Sequence, residues 1–327
     1  MSTGHARTAM GGARPVASAF PLRQERKTGM PTIRPSGGAL GASVTGIDLS
    51  RPMSAADFAT ILRALGEHGV LCFPSQLLEP AALRDFSLRF GSIQTSLTGK
   101  FQDPNIPEVG ILSNIVENGE PIGLGDAGQD WHTDMSYRDM MGFVNVLNAH
   151  KVPRRDGRVL GNTVFANMHA AYDELDPALK KRLENATATH DFNKFWDLMV
   201  KRGKGRQPLT PEQRAKRPPS VHPVFLTHPI TGKKVLYCNP GYAVRINELD
   251  EAESDRVLEA LFEHQLQPRF LHTHQWTEGD LLIWDNIGTL HNAIPDYGPD
   301  EHRLMKRCQV MADKVFQPDF IRQALAA

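Results

Sequence analysis

The chain has 327 residues, of which 40% are hydrophobic and 23% are charged, and its formal net charge is +0. This composition is typical of a soluble globular protein with room for one large domain or two small ones. The balanced charge gives no electrostatic reason to bind nucleic acid or an anionic membrane surface, so neither partner is expected. The chain contains no apolar run of about eighteen residues, and no transmembrane helix is predicted.

The cysteines indicate a reducing compartment. Cys72, Cys238 and Cys308 are odd in number, far apart and embedded in apolar runs. This usage predicts buried, reduced thiols rather than a disulfide framework. A cytoplasmic location is therefore expected.

The N-terminal segment differs from the rest of the chain. Residues 1–30 are rich in Gly, Ala, Ser, Thr and Arg, and Glu25 is their one acid. An Arg-rich, acid-poor segment is compatible with an organelle transit peptide, but this one lacks a clear amphipathic apolar face. We predict a disordered leader over residues 1–30, with Met30 as an alternative start, and a single domain over residues 31–327.

The predicted elements alternate short strands with a few helices. Helices are expected over 55–68 with Ser54 as N-cap, over 80–90, over 167–184 with a break near Asp176-Pro177, and over 250–265. Strands are expected over 70–73, 109–112, 143–149, 163–165, 222–226, 234–238, 269–274, 281–284, 290–294 and 305–311. The pattern predicts a mainly β fold with flanking helices, built on a core of sandwich or jelly-roll type.

Two long segments lack a strong periodic pattern. Residues 91–128 hold one predicted strand among Gly, Asn and Pro, and such a loop suits an active-site lid. Residues 201–220 are basic and Pro-rich. A nucleic-acid patch is an alternative there, but no aromatic residue interleaves the charges as a stacking platform would require. We interpret this segment as a solvated insertion.

The strongest metal-site signal is the run Asp130-Trp131-His132-Thr133-Asp134. On an extended strand residues i and i+2 face the same side, so His132 and Asp134 would present an imidazole and a carboxylate to one point. Two histidines and one carboxylate are the ligands of non-haem Fe(II) oxygenases. Bare His-x-Asp triplets also occur as surface polar residues, so the interpretation needs a second histidine.

His291 is the candidate for that second histidine. It lies far along the chain from His132, so a site containing both would join two distant strands, unlike local zinc motifs. His272 and His274 form a rival pair on one face of a predicted strand. Three further histidines are interpreted as structural: His190, His222 and His228.

Two arginines fall where a predicted strand returns to the core. The spacing of Arg303 and Arg307 puts both on one strand face. A buried guanidinium is costly unless it meets an anion, and arginine can hold a carboxylate through two parallel hydrogen bonds. The pair therefore indicates either an anion site or two structural salt bridges with Asp or Glu.

Nine motifs extend this pattern over residues 33–311. They are Gly46-x-Asp48-Leu49-Ser50-Arg51-Pro52, Arg89-Phe90-Gly91, Trp131-His132-Thr133-Asp134, Gly161-Asn162-Thr163, Ala170-Ala171-Tyr172, His222-Pro223-Val224, Thr227-His228-Pro229, Trp284-Asp285-Asn286 with His291, and Arg303-x-x-x-Arg307. Together they resemble the taurine dioxygenase family of Fe(II)/2-oxoglutarate-dependent oxygenases, which includes herbicide-degrading aryloxyalkanoate dioxygenases.

The resemblance implies a double-stranded β-helix flanked by helices, with Fe(II) as cofactor and 2-oxoglutarate as cosubstrate. The implied iron ligands are His132, Asp134 and His291. The implied cosubstrate contacts are Arg303, on the distal carboxylate, and Thr163. Arg307 is expected near the substrate anion or the inner carboxylate of 2-oxoglutarate.

The implied reaction hydroxylates a small organic anion (a sulfonate, sulfate ester, aryloxyalkanoate or similar) with O2, giving succinate and CO2 as co-products. A homo-oligomer is expected by the same resemblance. Two alternatives stay open: an inert binding protein of this fold, and another metal-dependent enzyme, such as a zinc hydrolase, that uses the same triad.

The sequence departs from the family pattern at three places. The run after Gly91 has no histidine, where the taurine enzyme has one that helps to hold sulfonate. Gly161-Asn162-Thr163 replaces a Gly-Gly-Asp-Thr pattern, and Asn145 is unusually polar for its predicted strand. Taurine is therefore not expected to be the preferred substrate.

Overall fold

The computed structural model describes residues 30–95, 100–202 and 207–326. The predicted leader lies outside these ranges apart from Met30. The strands are β1 (Thr32–Pro35), β2 (Ala42–Thr45), β3 (Val70–Phe73), β4 (Gly110–Ser113), β5 (Val116–Glu117), β6 (Glu120–Pro121), β7 (Gly142–Lys151), β8 (Arg154–Arg155), β9 (Arg158–Val159), β10 (Thr163–Asn167), β11 (Thr187–His190), β12 (Ser220–Pro223), β13 (Phe225–Thr227), β14 (Lys234–Leu236), β15 (Ala243–Ile246), β16 (Leu271–His274), β17 (Leu281–Asp285), β18 (Thr289–Ala293) and β19 (Leu304–Met311). The helices are α1 (Ala55–His68), α2 (Pro80–Ser87), α3 (Met168–Asp173), α4 (Pro177–Arg182), α5 (Phe192–Lys201), α6 (Pro211–Ala215), α7 (Glu251–Gln265) and α8 (Pro318–Ala326), with a 3-10 turn at Pro268–Phe270.

A seven-stranded mixed sheet forms the framework, in the order β1-β2-β3-β17-β7-β19-β4. Strands β2 and β3 pair in parallel, and the other neighbours pair antiparallel. Strand β7 lies between β17 and β19, and its first eight residues are buried, as an interior strand requires. Among the described residues, no helix is both long and apolar enough to span a membrane.

A smaller sheet carries part of the functional site. Strand β10 lies between β16 and β18. In this register Thr163 is paired with His274 on one side, and Phe165 is paired with His291 on the other. Two residues that the sequence separates widely, Thr163 and His291, are thus brought to neighbouring strands.

The apolar core has two large parts, which use opposite faces of the large sheet, and a small cluster of Phe195, Met199 and Tyr242. One part packs the sheet against helices α1 and α2, and its rings Phe58, Phe90 and Phe143 meet edge to face. The other lies between the large and the smaller sheet, where Phe165 of β10 contacts Trp284 of β17 at a centroid distance of 5.6 Å. The two sheets therefore face each other across a shared core.

Most predicted helices are confirmed in position and in cause. Helix α1 begins after Ser54, whose hydroxyl accepts a hydrogen bond from the backbone N–H of Asp57 at 3.0 Å. Residues 167–184 divide into α3 and α4, and Asp176 caps the second helix. Helix α7 matches the predicted 250–265, and β13 pairs with β14 as the predicted hairpin.

One helix is absent from the predicted elements. Asp191 caps helix α5, and the helix buries Phe195 and Met199. The described residues of the basic segment 201–220 are mostly exposed, as a solvated insertion implies, but Lys216 and Arg217 also line a cavity of about 1230 Å³. Charge composition alone could not reveal this contribution to a cavity.

Candidate active site

The site begins at a backbone contact between the two distant histidines. The N–H of His132 donates to the carbonyl of His291 at 3.1 Å, and the N–H of His291 donates to the carbonyl of His132 at 2.8 Å. At His132 only this isolated bridge is strand-like, because the chain enters a turn at Asp134. The prediction of an extended strand through His132 and Asp134 is therefore wrong, although the side chains of His132, Asp134 and His291 converge.

The turn that carries Asp134 is held in an unusual conformation. Asp130 and Met135, on either side of the His-x-Asp run, have φ values of 71° and 60°. Non-glycine residues adopt this left-handed region rarely, and often at functional sites. Gly142 permits the close approach of β7, because a Cβ there would lie 2.8 Å from the Asp134 carbonyl oxygen.

Three side chains meet at one buried point. Nε2 of His132 lies 3.5 Å from Oδ1 of Asp134, and Nε2 of His291 lies 3.9 Å from Oδ2. The three residues are between 3% and 8% exposed. Their ligand atoms all lie within 4.8 Å of one another, which is compact enough to hold a metal ion.

The protonation states of the three side chains suit a metal ion. Burial lowers the pKa of His291 well below its ordinary value, so the imidazole is neutral. Burial alone would raise the pKa of Asp134, but the groups around its carboxylate, His132 first among them, lower it well below its ordinary value. Nδ1 of His132 lies 2.7 Å from the carbonyl oxygen of Asp130 and must donate to it, which leaves the Nε2 lone pair for the metal. Neutral imidazoles and an ionised carboxylate are the forms that bind metals.

Two amides and a cation surround the Asp134 carboxylate. Its Oδ2 accepts hydrogen bonds from Asn145 at 2.7 Å and from Gln309 at 2.9 Å, and it lies 3.9 Å from the guanidinium of Arg307. Sequence reasoning noted Asn145 as an anomaly and missed Gln309. Asn145 carried a signal, as a polar residue on a buried strand, whereas Gln309 lies on a strand with other polar residues and carried none.

Arg303 and Thr163 lie in a second buried region. Arg303 is 5% exposed, and its Nε has no hydrogen-bond partner among the described residues. Burial lowers the pKa of its guanidinium from the ordinary value, while a hydrogen bond with Tyr297 opposes this. Thr163 is 3% exposed and accepts a hydrogen bond from Nε1 of Trp276 at 3.1 Å. No carboxylate in the described ranges lies within ion-pair distance of Arg303, so the two-salt-bridge alternative does not hold for it.

The two arginines do not share one continuous strand face. The β19 register shifts between Leu304 and Met305, so the regular spacing that the prediction assumed is interrupted. Arg303 faces Tyr297 and Gly161, whereas Arg307 faces Asp134 and the large cavity. This cavity has a volume of about 1230 Å³ and is also lined by Met135 and Gln309, next to the three converging side chains.

The rival histidines lie elsewhere. His274 is grouped with Cys72 and Asp280, and its Nε2 is 3.4 Å from Oδ2 of Asp280. The ring of His272 packs against Gly41, where a Cβ would lie only 2.9 Å from Nε2 of His272. Neither belongs to the group around Asp134.

The three histidines interpreted as structural make contacts of that kind. His228 is fully buried and donates from Nε2 to Asp285 at 2.7 Å, because its Nδ1 accepts the N–H groups of Ile230 and Thr231. His222 meets the carbonyl of Arg138 at 3.0 Å. Burial lowers the pKa of His190 to about 3, so this imidazole is neutral.

The arrangement defines a class of site. Two imidazoles and one carboxylate converge from one side, beside a cavity, as in non-haem Fe(II) oxygenases. Residues 32–309 match the model of the "Taurine catabolism dioxygenase TauD, TfdA family". The chain belongs to this family and is a 2-oxoglutarate-dependent dioxygenase that uses Fe(II).

Known proteins resemble it over nearly all of their length. Pentalenolactone F synthase of Streptomyces avermitilis is 33% identical, over 88% of this chain and 96% of the relative. (S)-phenoxypropionate/alpha-ketoglutarate-dioxygenase of Delftia acidovorans is 31% identical, over 80% of this chain and 89% of the relative. The crystal structure of AAD-2 with Mn(II) and N-oxalylglycine is similar with a TM-score of 0.69 and 28% identity, and the match covers 86% of this chain and 97% of that one.

Proposed function

We propose that the protein hydroxylates a small organic anion, such as a sulfonate, a sulfate ester, an aryloxyalkanoate or a similar compound. Succinate and CO2 would be the co-products. The observation that carries this proposal is the buried convergence of His132, Asp134 and His291 beside a cavity that Arg307 lines. The phenoxypropionate dioxygenase among the relatives supports the choice of an anionic substrate.

The proposal extends to architecture and setting. Residues 31–327 would form one catalytic domain around a double-stranded β-helix, and the two sheets that share a core support this. The three free thiols suit a reducing cytoplasm. A homo-oligomer is proposed by family resemblance.

The chain's own residues fit both groups. His132, Asp134 and His291 would hold Fe(II) from one side and leave positions for 2-oxoglutarate and O2. The guanidinium of Arg303 would bind the distal carboxylate of 2-oxoglutarate through parallel hydrogen bonds. The hydroxyl of Thr163 accepts from Trp276, so its own proton is free to donate to the same carboxylate.

Iron and 2-oxoglutarate, when bound, supply the oxidising chemistry, in which the cosubstrate loses CO2 and one oxygen atom enters a substrate C–H bond. The protein orients the reactants and keeps water away. Asn145 and Gln309 would fix the Asp134 carboxylate, and burial would keep the triad in its metal-binding forms. Arg307 is proposed as a substrate-binding residue because it lines the cavity beside Asp134.

Oxygen uptake in the presence of Fe(II) and 2-oxoglutarate tests this function. A panel of sulfonates, alkyl sulfates, aryloxyalkanoates and free amino acids is compared at equal concentration, with taurine included. An anion other than taurine should stimulate uptake most and be hydroxylated with stoichiometric succinate. An uncharged best substrate, or taurine as the fastest, would contradict the proposal.

A further inference from the structure

The cavity beside the triad is large for a short anion. Its volume of about 1230 Å³ exceeds the roughly 300–1,000 Å³ typical of sites for drug-sized ligands. One end is marked by Arg307 and Gln309, which both contact the Asp134 carboxylate. A ligand in this cavity can therefore reach the metal-binding point at one end and extend well away from it.

An aromatic wall lines part of the cavity. It consists of Tyr137, Phe192 and Trp196. The rings of Tyr137 and Phe192 have centroids 4.9 Å apart, and those of Phe192 and Trp196 are 5.7 Å apart, so the three form one continuous surface. Such a surface binds an apolar or aromatic body by contact area and ring stacking.

Two guanidinium groups on the cavity lining have no acidic partner. Arg138 and Arg217 both line the cavity, and no carboxylate in the described ranges lies within 4 Å of either group. Arg138 instead donates to the amide oxygen of Gln94. Arg217 donates to the carbonyl of Gln213 at 3.0 Å and lies 5.4 Å from the ring centroid of Phe192.

Two other arginines near the site have an acidic partner. Arg214 lies in the same basic segment as Arg217 but is paired with Asp197 at 2.6 Å. Arg307 lies 3.9 Å from Asp134. Arg138 and Arg217 differ from these two arginines because no described carboxylate pairs with them, and they differ from the exposed Lys216 because they are only partly exposed.

Tyr137 links these groups to the aromatic wall. Burial and the charge of Asp134 raise its pKa to about 12, against the opposing charges of Arg138, Arg307 and Arg217. All three arginines line the cavity together with Tyr137, and Arg217 reaches the ring of Phe192, which packs on Tyr137. The phenol stays protonated and can also donate a hydrogen bond to an anion.

We propose that Arg138 and Arg217 form the anchor for the charged group of the substrate, a carboxylate, sulfonate or sulfate, while its apolar body lies along Tyr137, Phe192 and Trp196. This rests on the proposed function and narrows it. The substrate class is an organic anion that carries a ring-sized apolar body next to its charged group. Short anions such as acetate or taurine would reach the two arginines but would not contact the aromatic wall.

The test uses 3-phenylpropionate, its neutral amide 3-phenylpropionamide, and acetate. Each is titrated calorimetrically into the protein loaded with Fe(II) and 2-oxoglutarate without oxygen, and again into the metal-free protein. The phenyl acid should bind at least about tenfold more tightly than either the amide or acetate, because it alone meets both anchor and wall. The loaded and metal-free titrations separate a failure of this inference from a failure to bind iron or 2-oxoglutarate.

Variants locate the anchor. Arg138→Gln and Arg217→Gln should each weaken binding of the acid by about ten- to a hundredfold and leave binding of the amide nearly unchanged. Lys201→Gln is the control. Lys201 belongs to the same basic segment as Arg217 but does not line the cavity, so this variant should bind the acid and the amide as the wild type does. The wild-type comparison of acid and amide still decides if a variant fails to fold. Any one of three results overturns the proposal. The wild-type protein binds acid and amide equally, it does not bind the acid, or the arginine variants lose the same affinity for both ligands.

Discussion

The side-chain amide of Asn145 donates a hydrogen bond of 2.7 Å to Oδ2 of Asp134, inside a strand whose neighbours are buried. Burying an amide lowers the free energy of unfolding unless the amide forms a hydrogen bond, and here its acceptor is a proposed metal ligand. Contacts of this kind orient carboxylate ligands, and their loss typically costs about ten- to a hundredfold in metal affinity or activity.

Asn145→Ala should therefore weaken Fe(II) binding by about tenfold or more while the protein still folds. An anaerobic Fe(II) titration measures the metal affinity, and a circular dichroism spectrum shows whether the variant is folded. Asn148→Ala is the matched control, because Asn148 lies on the same strand but bonds to Leu78, Gln76 and Asp280. The control should lower the free energy of unfolding and keep the metal affinity. Equal metal binding by wild type and Asn145→Ala would show that the amide is merely structural.

Replacing any one member of the triad should abolish turnover and most iron binding. His132→Ala, Asp134→Ala and His291→Ala each remove one of three ligands. His272→Ala and His274→Ala should keep both iron and turnover, since they lie outside the group around Asp134. Metal analysis and succinate production measure the outcome. Wild-type turnover by His291→Ala, or iron loss in His274→Ala, would reassign the site.

Arg303→Ala should weaken binding of 2-oxoglutarate strongly. A charged hydrogen bond contributes roughly 1.5–3 kcal/mol, which corresponds to about ten- to over a hundredfold in affinity. The apparent dissociation constant for 2-oxoglutarate in the Fe(II)-loaded protein is the measurement. Lys306→Ala is a useful control, because the ammonium of Lys306 lies 3.6 Å from the carboxylate of Asp103. An unchanged 2-oxoglutarate affinity in Arg303→Ala would remove this residue from the cosubstrate site.

His190 makes stability depend on pH. Its pKa is about 3 in the folded chain, because burial disfavours the charged form, and about 6.5 in an unfolded chain. The unfolded state therefore binds more protons between these values. The stabilisation from neutral His190 is fully present above about pH 6.5 and is lost as pH falls towards 3, by up to about 1.4 kcal/mol per pH unit.

His190→Gln should flatten this part of the pH profile, because glutamine does not titrate. Urea unfolding at several pH values below 6.5 measures the slope. An identical slope for wild type and His190→Gln would assign the acid sensitivity to other groups.

The sequence predicted what depends on local pattern. Ser54, Asp176 and the spacing within 250–265 fixed helix positions, because caps and apolar periodicity are local properties. Helix α5 was missed although the sequence carries its signal, because Phe192, Phe195 and Met199 have helical spacing and follow the cap Asp191.

The metal ligands were predictable because motif matches named them, although the strand geometry assumed for His132 and Asp134 is replaced by a bridge and a turn. The contacts of Gln309 and Arg217 could not be predicted in the same way. They depend on which segments meet across the cavity, and pairing between distant segments leaves no periodic trace in the sequence.

The bridge between His132 and His291 is made by backbone atoms alone. Truncating either side chain therefore leaves the frame around it intact and creates a void shaped like the missing ring. Free imidazole in solution should enter this void in His291→Ala, act as the missing ligand and restore part of the lost metal binding. Imidazole should rescue metal binding in His291→Ala and should not rescue it in Asp134→Ala. This result would show that the backbone holds the position of the ligand even when the side chain is missing.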